Sequence, residues 1–155
     1  MNFKDLQDII QFAIEKEKEA AQFYEDVSKE ENLSGSREML MEFSREEQKH
    51  WVMLKKLSEE GIVEGLDDYK FEWIVDIKRS DYVAEMEYTP GMAYNDLLML
   101  AMKREEKALA LYNKLQREAD TPESKKLFKM LCQEEAKHKL ALETLYDDYM
   151  AEMGD

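Results

Sequence analysis

Six charged or basic residues interrupt the apolar faces of predicted helices, and all six belong to types that bind metal ions. They are Glu17, Glu47, His50, Glu105, Glu135 and His138. In each Glu-x-x-His pair the two residues are three positions apart, so on a helix both side chains project from one face. Mixed carboxylate and imidazole ligation suits iron or manganese, and zinc is also compatible. The pattern therefore predicts a site for two divalent metal ions.

The charge of the four glutamates supports this prediction. A carboxylate buried in an apolar core either costs much free energy or takes up a proton, unless a cation lies beside it. Two divalent ions would balance four carboxylates. A single histidine near an apolar face is more often a hydrogen-bonded core residue, but the only 2 histidines of this chain both occur in the repeated Glu-x-x-His pair.

Most other glutamates are expected to be solvated, because the chain has 36 acidic residues. Several of them neighbour the predicted ligands but fall off the apolar faces, and we assign these to the outer surface. They are Glu15, Glu19, Glu46, Glu106 and Glu134.

Four segments with apolar residues at steps of three and four predict four helices, at roughly residues 3–31, 36–60, 91–119 and 122–152. Ser36 is a predicted N-cap, and Pro90 and Pro122 are predicted to mark the starts of the third and fourth helices. With only 5 glycines and 2 prolines, the composition also favours an all-α fold.

The connection between the second and third helices, residues 61–90, is too long for a tight turn. It predicts a four-helix bundle with one long crossover, in which the second hairpin begins at the same end as the first. The stretch from Tyr69 to Ile77 is a candidate for an additional helix. Its aromatic residues, with Tyr82, could cover a neighbouring subunit in a homodimer or could pack on their own bundle.

The two halves of the chain match at a constant offset of 88 positions between Ala13 and Leu57. The matched pairs include Glu17 with Glu105, Ala20 with Ala108, Tyr24 with Tyr112, Glu47 with Glu135 and His50 with His138. This predicts one domain over residues 1–155, made of two pseudo-repeats at about 1–60 and 89–152 and related by an approximate twofold axis. Tyr24 and Tyr112 follow Glu17 and Glu105 on the same faces, so their hydroxyls are predicted to hydrogen-bond ligand carboxylates; ordinary buried tyrosines are the alternative.

Composition also excludes several classes of function. A formal net charge of −14 argues against binding nucleic acid or an anionic membrane. The single cysteine, Cys132, leaves no disulfide within the chain and no four-cysteine iron centre, and we interpret it as a packing residue. The sequence contains neither a basic segment followed by an apolar run nor an apolar stretch long enough to span a membrane, so we predict a cytoplasmic location.

The motifs EKEAAQFY, EEKALALY, EEQKH and EEAKH resemble the four helices of the rubrerythrin-like branch of the ferritin superfamily, and the similarity covers nearly the whole chain. The resemblance implies a ferritin-like bundle with two irons. In it Glu47 with His50 and Glu135 with His138 each serve one iron, while Glu17 and Glu105 complete or bridge the pair. Such sites react with hydrogen peroxide or dioxygen and are then reduced again. No catalytic residue beyond the metal ligands is implied.

The resemblance has two departures. Ala108 stands where rubrerythrins carry a further glutamate, and these 155 residues contain no rubredoxin domain, so a separate electron donor such as rubredoxin is expected. The leading interpretation is a di-iron oxidoreductase that reduces peroxide or oxygen in oxidative-stress defence. The alternative is a ferroxidase or iron-binding protein for storage or delivery, and a third is a structural bundle stabilised by metal.

Overall fold

The computed structural model describes residues 6–30, 36–61, 63, 66–76 and 87–153, and within these residues the regular elements are four α-helices. They are α1 (Leu6–Ser28), α2 (Arg37–Glu60), α3 (Tyr94–Glu118) and α4 (Pro122–Met153). The predicted all-α class and the four helices are confirmed. Among the described residues, no helix combines the length and apolarity that crossing a membrane requires.

The helix ends correct two details of the sequence prediction. Ser36 occupies the N-cap position of α2, but its hydroxyl lies 2.6 Å from the Tyr94 hydroxyl and caps no amide. Pro90 precedes α3 by several residues, because the Met92 amide bonds to the Thr89 carbonyl and Gly91 adopts a φ of 87°. Proline followed by a glycine with positive φ makes a tight turn rather than a first helical turn. Pro122 does begin α4, as predicted.

The helices pack as two hairpins, α1 with α2 and α3 with α4, while contacts between the hairpins are fewer. The direction of the second hairpin differs from the prediction. Because the Ser36 hydroxyl contacts that of Tyr94, α3 begins beside the start of α2, at the end of the bundle where α1 finishes. A long crossover carries the chain back along the bundle, so α3 runs parallel to α2 and opposite to α1.

Two apolar layers fill the bundle, one on each side of its middle. One layer includes Ile10, Leu54 and Phe128, and the other includes Val27, Leu98 and Leu142. All six side chains are at most 3 % exposed. Between the two layers lies a polar belt at mid-helix, and the candidate site is built there.

The described part of the crossover, residues 66–76, contains no helix, so the prediction of a helix near Tyr69 is wrong over that range; Ile77 and Tyr82 lie outside the described residues. The segment is held along α4 by side chains. Gln133 accepts a hydrogen bond from the Glu72 amide at 2.8 Å and donates one to the Lys70 carbonyl at 2.9 Å. Tyr69 and Phe71 pack on their own bundle, whereas Trp73 is 91 % exposed.

Candidate metal centre

All six predicted ligands lie together in the polar belt. They come from all four helices: one glutamate from α1, one from α3, and a Glu-x-x-His pair from each of α2 and α4. Each of these six residues is at most 3 % exposed. Glutamates are rarely buried to this extent unless a partner compensates their charge. Helical phase, the repeated Glu-x-x-His pair and the family resemblance together indicated these residues in the sequence.

The donor atoms form two overlapping groups. Within each group, one atom per residue lies within 4.8 Å of every other. The first group is Glu17, Glu47, His50 and Glu135, and the second is Glu47, Glu105, Glu135 and His138. Glu47 and Glu135 belong to both groups, whereas Glu17 and Glu105 each belong to one. If two ions were bound, Glu47 and Glu135 would be shared by both groups, and Glu17 and Glu105 would each complete one group.

Both histidines turn Nδ1 toward the carboxylates. His50 Nδ1 lies 3.0 Å from Glu135 Oε1, and His138 Nδ1 lies 2.9 Å from Glu47 Oε1. Each histidine therefore approaches the glutamate of the opposite hairpin. The ring centroids of the two histidines are 6.3 Å apart, so the two groups adjoin one another.

The cluster has the chemical features of a cation site. Glu17 Oε2 and Glu105 Oε2 are buried oxygens that accept no hydrogen bond within the described part of the chain. A buried carboxylate oxygen without a donor is costly, and a divalent cation is a partner that removes the cost. Four carboxylates and two imidazoles fit two such ions, so the residues present fit the metal pair that their types predicted.

The pKa values within the protein show the same excess of negative charge. Burial, then the charge of Glu47, raises the pKa of Glu17 well above its usual value. Burial, then Glu105, does the same to the pKa of Glu135. Burial would lower the pKa of His50, but the neighbouring carboxylates of Glu17 and Glu47 outweigh it and raise that pKa from 6.5 to about 10. Without a metal the cluster therefore retains protons, and divalent cations would take their place.

Two tyrosines hold the outer carboxylates in a crossed arrangement. The Tyr24 hydroxyl donates to Glu105 Oε1, and the Tyr112 hydroxyl donates to Glu17 Oε1. The predicted tyrosine–glutamate bonds are present, but each joins α1 to α3 instead of lying along one helix. Each half of the chain therefore donates one tyrosine hydroxyl to a glutamate of the other half, as an approximate twofold axis between the two halves requires.

Two glutamates assigned to the outer surface have roles that the helical phase did not indicate. Glu46 contacts Nε2 of the His138 ring, the nitrogen on the side away from the cluster. Its counterpart Glu134 instead accepts a hydrogen bond at 2.8 Å from Tyr69 in the crossover. The paired glutamates of EEQKH and EEAKH recur at the offset of 88 positions. This repetition was the one feature of the sequence that could have indicated a role for Glu46 and Glu134.

The remaining assignments divide between surface and core. Glu15 and Glu19 are exposed, as predicted, and Glu106 is partly buried beside Lys103. Cys132 is partly buried, and burial raises the pKa of its thiol to about 11. At that pKa the thiol stays protonated near neutrality, which agrees with a packing role.

A cavity of about 780 Å³ leads to the cluster between α1 and α3. Glu17, Glu105 and Glu135 lie at its inner end. Ala20 and Ala108, each one turn beyond the glutamate of its helix, line the passage with small side chains. A small molecule can therefore approach the candidate centre from this side.

Comparison with known proteins agrees with the site and the fold. The rubrerythrin family model matches residues 96–153, a range that includes Glu105, Glu135 and His138. A solved structure of a hypothetical protein from Pyrococcus furiosus is similar with a TM-score of 0.70 and 25% sequence identity, over 93% of this chain and 89% of that one. No curated protein sequence matches the chain.

The family match covers α3 and α4, while the structural similarity extends over nearly all of the chain. The resemblance predicted from the motifs is thereby confirmed: this all-α, ferritin-like bundle carries, in its second half, a match to the rubrerythrin family.

Proposed function

We propose that the chain is a cytoplasmic di-iron oxidoreductase that reduces hydrogen peroxide to water in oxidative-stress defence. The observation that carries this proposal is the sharing of Glu47 and Glu135 between the two donor groups. Two ions held by common carboxylates are close enough to act on one molecule together. The family match favours iron as the metal.

Peroxide reduction needs two electrons and two protons to form two molecules of water, and one oxygen–oxygen bond breaks. A pair of bound irons would supply the two electrons, one from each ion. Four carboxylates match the charge of two divalent ions, so the reduced centre would be close to neutral. The two apolar layers lie on opposite sides of the centre, and the α1–α3 cavity leads to it.

We propose that Tyr24 and Tyr112 hold the carboxylates of Glu105 and Glu17 in position. Burial, then the charge of Glu105, raises the pKa of Tyr24 well above 10, and burial, then Glu17, raises that of Tyr112. Both hydroxyls therefore remain protonated and keep donating to Glu105 and Glu17. This fixes the orientation of the two carboxylates that belong to a single donor group each.

Electrons must be restored after each turnover by another redox protein. Cys132 is the only cysteine among the 155 residues, so these residues supply no thiolate cluster to deliver electrons. We assign that role to a separate one-electron donor, such as a rubredoxin with its reductase.

The direct test is anaerobic reconstitution with two ferrous ions per chain, followed by rapid mixing with peroxide. We expect an immediate ferric charge-transfer absorption and consumption of one peroxide per two irons. The double variant Glu47→Ala, Glu135→Ala should lose at least one metal and all reaction with peroxide.

A matched control is the double variant Glu59→Ala, Glu152→Ala, which removes one exposed glutamate from each of α2 and α4. It should keep both metals and the full reaction. If the reconstituted wild type were inert toward peroxide, or if elemental analysis of anaerobically purified protein found zinc and no redox change, the proposal would be rejected.

A second candidate is ferrous iron oxidation for storage or delivery, which the net charge of −14 favours because it attracts cations. In that case iron is the substrate as well as the resident metal. Uptake well beyond two irons per chain, with dioxygen as the oxidant, would support it. Saturation at two irons would exclude storage.

A further inference from the structure

The cavity between α1 and α3 becomes more negative toward its inner end. Among the described residues that line it, six are glutamates and four are lysines or arginine. The four basic residues are all exposed or partly exposed, whereas four of the glutamates are at most 3 % exposed. Those four are the glutamates of the candidate metal centre. The lining therefore changes from mixed charge at the mouth to carboxylates as the charged groups of the inner end.

The positive charges at the mouth are in part compensated locally. Lys16 pairs with Glu19 at 3.2 Å, and Lys103 pairs with Glu106 at 3.1 Å. Glu87 adds a further exposed carboxylate to the lining. Ion pairs of this kind leave little net charge of their own, so the buried carboxylates dominate the electrostatic potential along the cavity. A cleft with this potential concentrates cations.

The inner end also presents carboxylate oxygens that lack a donor. Glu17 and Glu105 both line the cavity, and the Oε2 atom of each is buried and accepts no hydrogen bond from any described residue. A buried oxygen in that state is costly unless a partner compensates its charge. A cation that moves inward along the cavity therefore reaches two ligand atoms that no protein donor occupies.

The opposite face of the bundle, between α2 and α4, is closed at the same level. The His138 ring stacks on Phe43 with 4.0 Å between centroids, and Glu46 contacts its outer nitrogen. An ion arriving from that face would have to displace both contacts. From the α1–α3 side the passage is lined by the small side chains of Ala20 and Ala108.

We propose that the α1–α3 cavity is the path by which divalent metal ions enter the candidate centre, and that Glu87 at its mouth and Ala108 within it control the rate of entry. An ion with its first shell of waters needs roughly 200 Å³, at about 30 Å³ for each water, and the cavity offers about 780 Å³. This inference rests on the two-metal centre of the proposed function, and not on its reaction with peroxide.

The test is the rate of metal uptake by chelator-treated protein. Co²⁺ in excess is mixed with the protein in a stopped-flow instrument, and uptake is followed by the visible absorption of the bound ion. We expect Ala108→Phe to load at least about tenfold more slowly than the wild type, because the ring must move aside for each ion. Elemental analysis should still find two ions per chain at the end, since Ala108 is not a ligand.

The matched control is Ala110→Phe, which places the same ring at an exposed position of α3 and should load at the wild-type rate. Circular dichroism checks that each variant is folded. If Ala108→Phe does not fold, the smaller substitution Ala108→Leu takes its place in the same measurement.

A second variant tests the charge at the mouth. Glu87→Gln should load about threefold more slowly than the wild type at low ionic strength, and the difference should vanish at high salt, because salt screens an exposed charge. Glu118→Gln removes an exposed carboxylate at the end of α3 and should load as the wild type does at both salt concentrations.

Three results would overturn the inference. They are wild-type uptake rates in the folded Ala108 variant, an unchanged rate in Glu87→Gln at low salt, and faster uptake in Phe43→Leu, which loosens the opposite face. A wild type that takes up no Co²⁺ would defeat the metal centre itself, and with it both proposals. A wild type that loads as expected and is inert toward peroxide would defeat the proposed function alone.

Discussion

Glu46 and Glu134 occupy equivalent positions in the two halves, yet only Glu46 reaches a histidine of the candidate centre. Its carboxylate contacts His138 Nε2, and the His138 ring also stacks on Phe43 at 4.0 Å between centroids. A carboxylate on the outer nitrogen of a ligating histidine orients the ring and increases the basicity of the inner nitrogen. The surroundings of the two donor groups are therefore unequal, although the sequence repeat suggests that they match.

We predict that Glu46→Gln lowers the affinity of one of the two metal positions by roughly 10- to 100-fold and leaves the other nearly unchanged. The measurement is a competitive titration of zinc or ferrous iron against a chelator, in which two ions should bind in separate steps. Glu134→Gln is the control, because Glu134 bonds to Tyr69. An equal loss in both variants, or an equal loss at both positions, would contradict the prediction.

The crossed tyrosine bonds lead to a second prediction at this scale. Tyr24→Phe and Tyr112→Phe each leave one buried glutamate oxygen without a donor, which costs about 1–3 kcal/mol. Because the two bonds are related by the repeat, we expect similar losses in the two variants when metal-free protein is unfolded by urea. Tyr149→Phe, at the end of the bundle against Tyr94, should change stability little. A variant of Tyr24 or Tyr112 as stable as the wild type would refute the assigned role.

Individual residues show how far sequence reasoning reaches. The phase of each helix places Glu17 and Tyr24 on one inward face, because that depends only on 3.6 residues per turn. The hydrogen-bond partner of Tyr24 depends on how α1 lies against α3. The periodicity within one helix gives no information on that packing. Glu46 was missed for a related reason: it is off the apolar face, and only its long side chain reaches His138.

At the scale of elements, several side chains of α4 hold the crossover segment, and Gln133 bonds to its backbone. Gln133 makes two hydrogen bonds to the segment backbone, at Glu72 and Lys70. At the equivalent position of α2 stands Arg45, which pairs with Glu42 at the surface. This difference is one reason why the segment lies along α4.

We predict that Gln133→Ala destabilises the protein by about 1–3 kcal/mol and releases the segment, because two backbone groups lose their partners. Hydrogen exchange of the Glu72 amide should become much faster. Arg45→Ala removes a side chain at the matching position with only an exposed ion pair, so exchange at Glu72 should stay as in the wild type. Unchanged protection in Gln133→Ala would show that other contacts hold the segment.

The helices themselves were predictable because their apolar residues recur regularly over more than twenty residues. Their connections were not. The turn at Pro90 and Gly91 separates the proline from the start of α3, and the extended course of residues 69–76 is set by contacts with α4 instead of by local propensity. The direction of the second hairpin likewise follows from the path of the crossover across the whole bundle.

For the whole molecule, the proton balance of the centre predicts how stability changes with pH. The folded metal-free protein holds a proton on His50 up to a pKa of about 10, whereas the unfolded chain loses it near 6.5. The raised pKa values of Glu17 and Glu135 act in the same direction, since the folded state again holds the protons longer. Stability present below pH 6.5 is therefore lost as pH rises toward about 10.

We expect the free energy of unfolding of chelator-treated protein, measured with urea, to fall across that interval. Metal-loaded protein should not show this fall, because bound cations have already displaced the protons. In metal-free His50→Ala the dependence should be shallower. A metal-free wild type whose stability rises between pH 6.5 and about 10 would contradict the assignment.

The division of donors between the hairpins has a consequence for how the protein is assembled. Each donor group takes members from both hairpins, and neither hairpin alone contains all four members of either group. Cations would consequently link the halves in the manner of a cross-link. A chain cleaved between α2 and α3 should migrate as one particle, and its two fragments should dissociate at a lower urea concentration when a chelator has removed the metal.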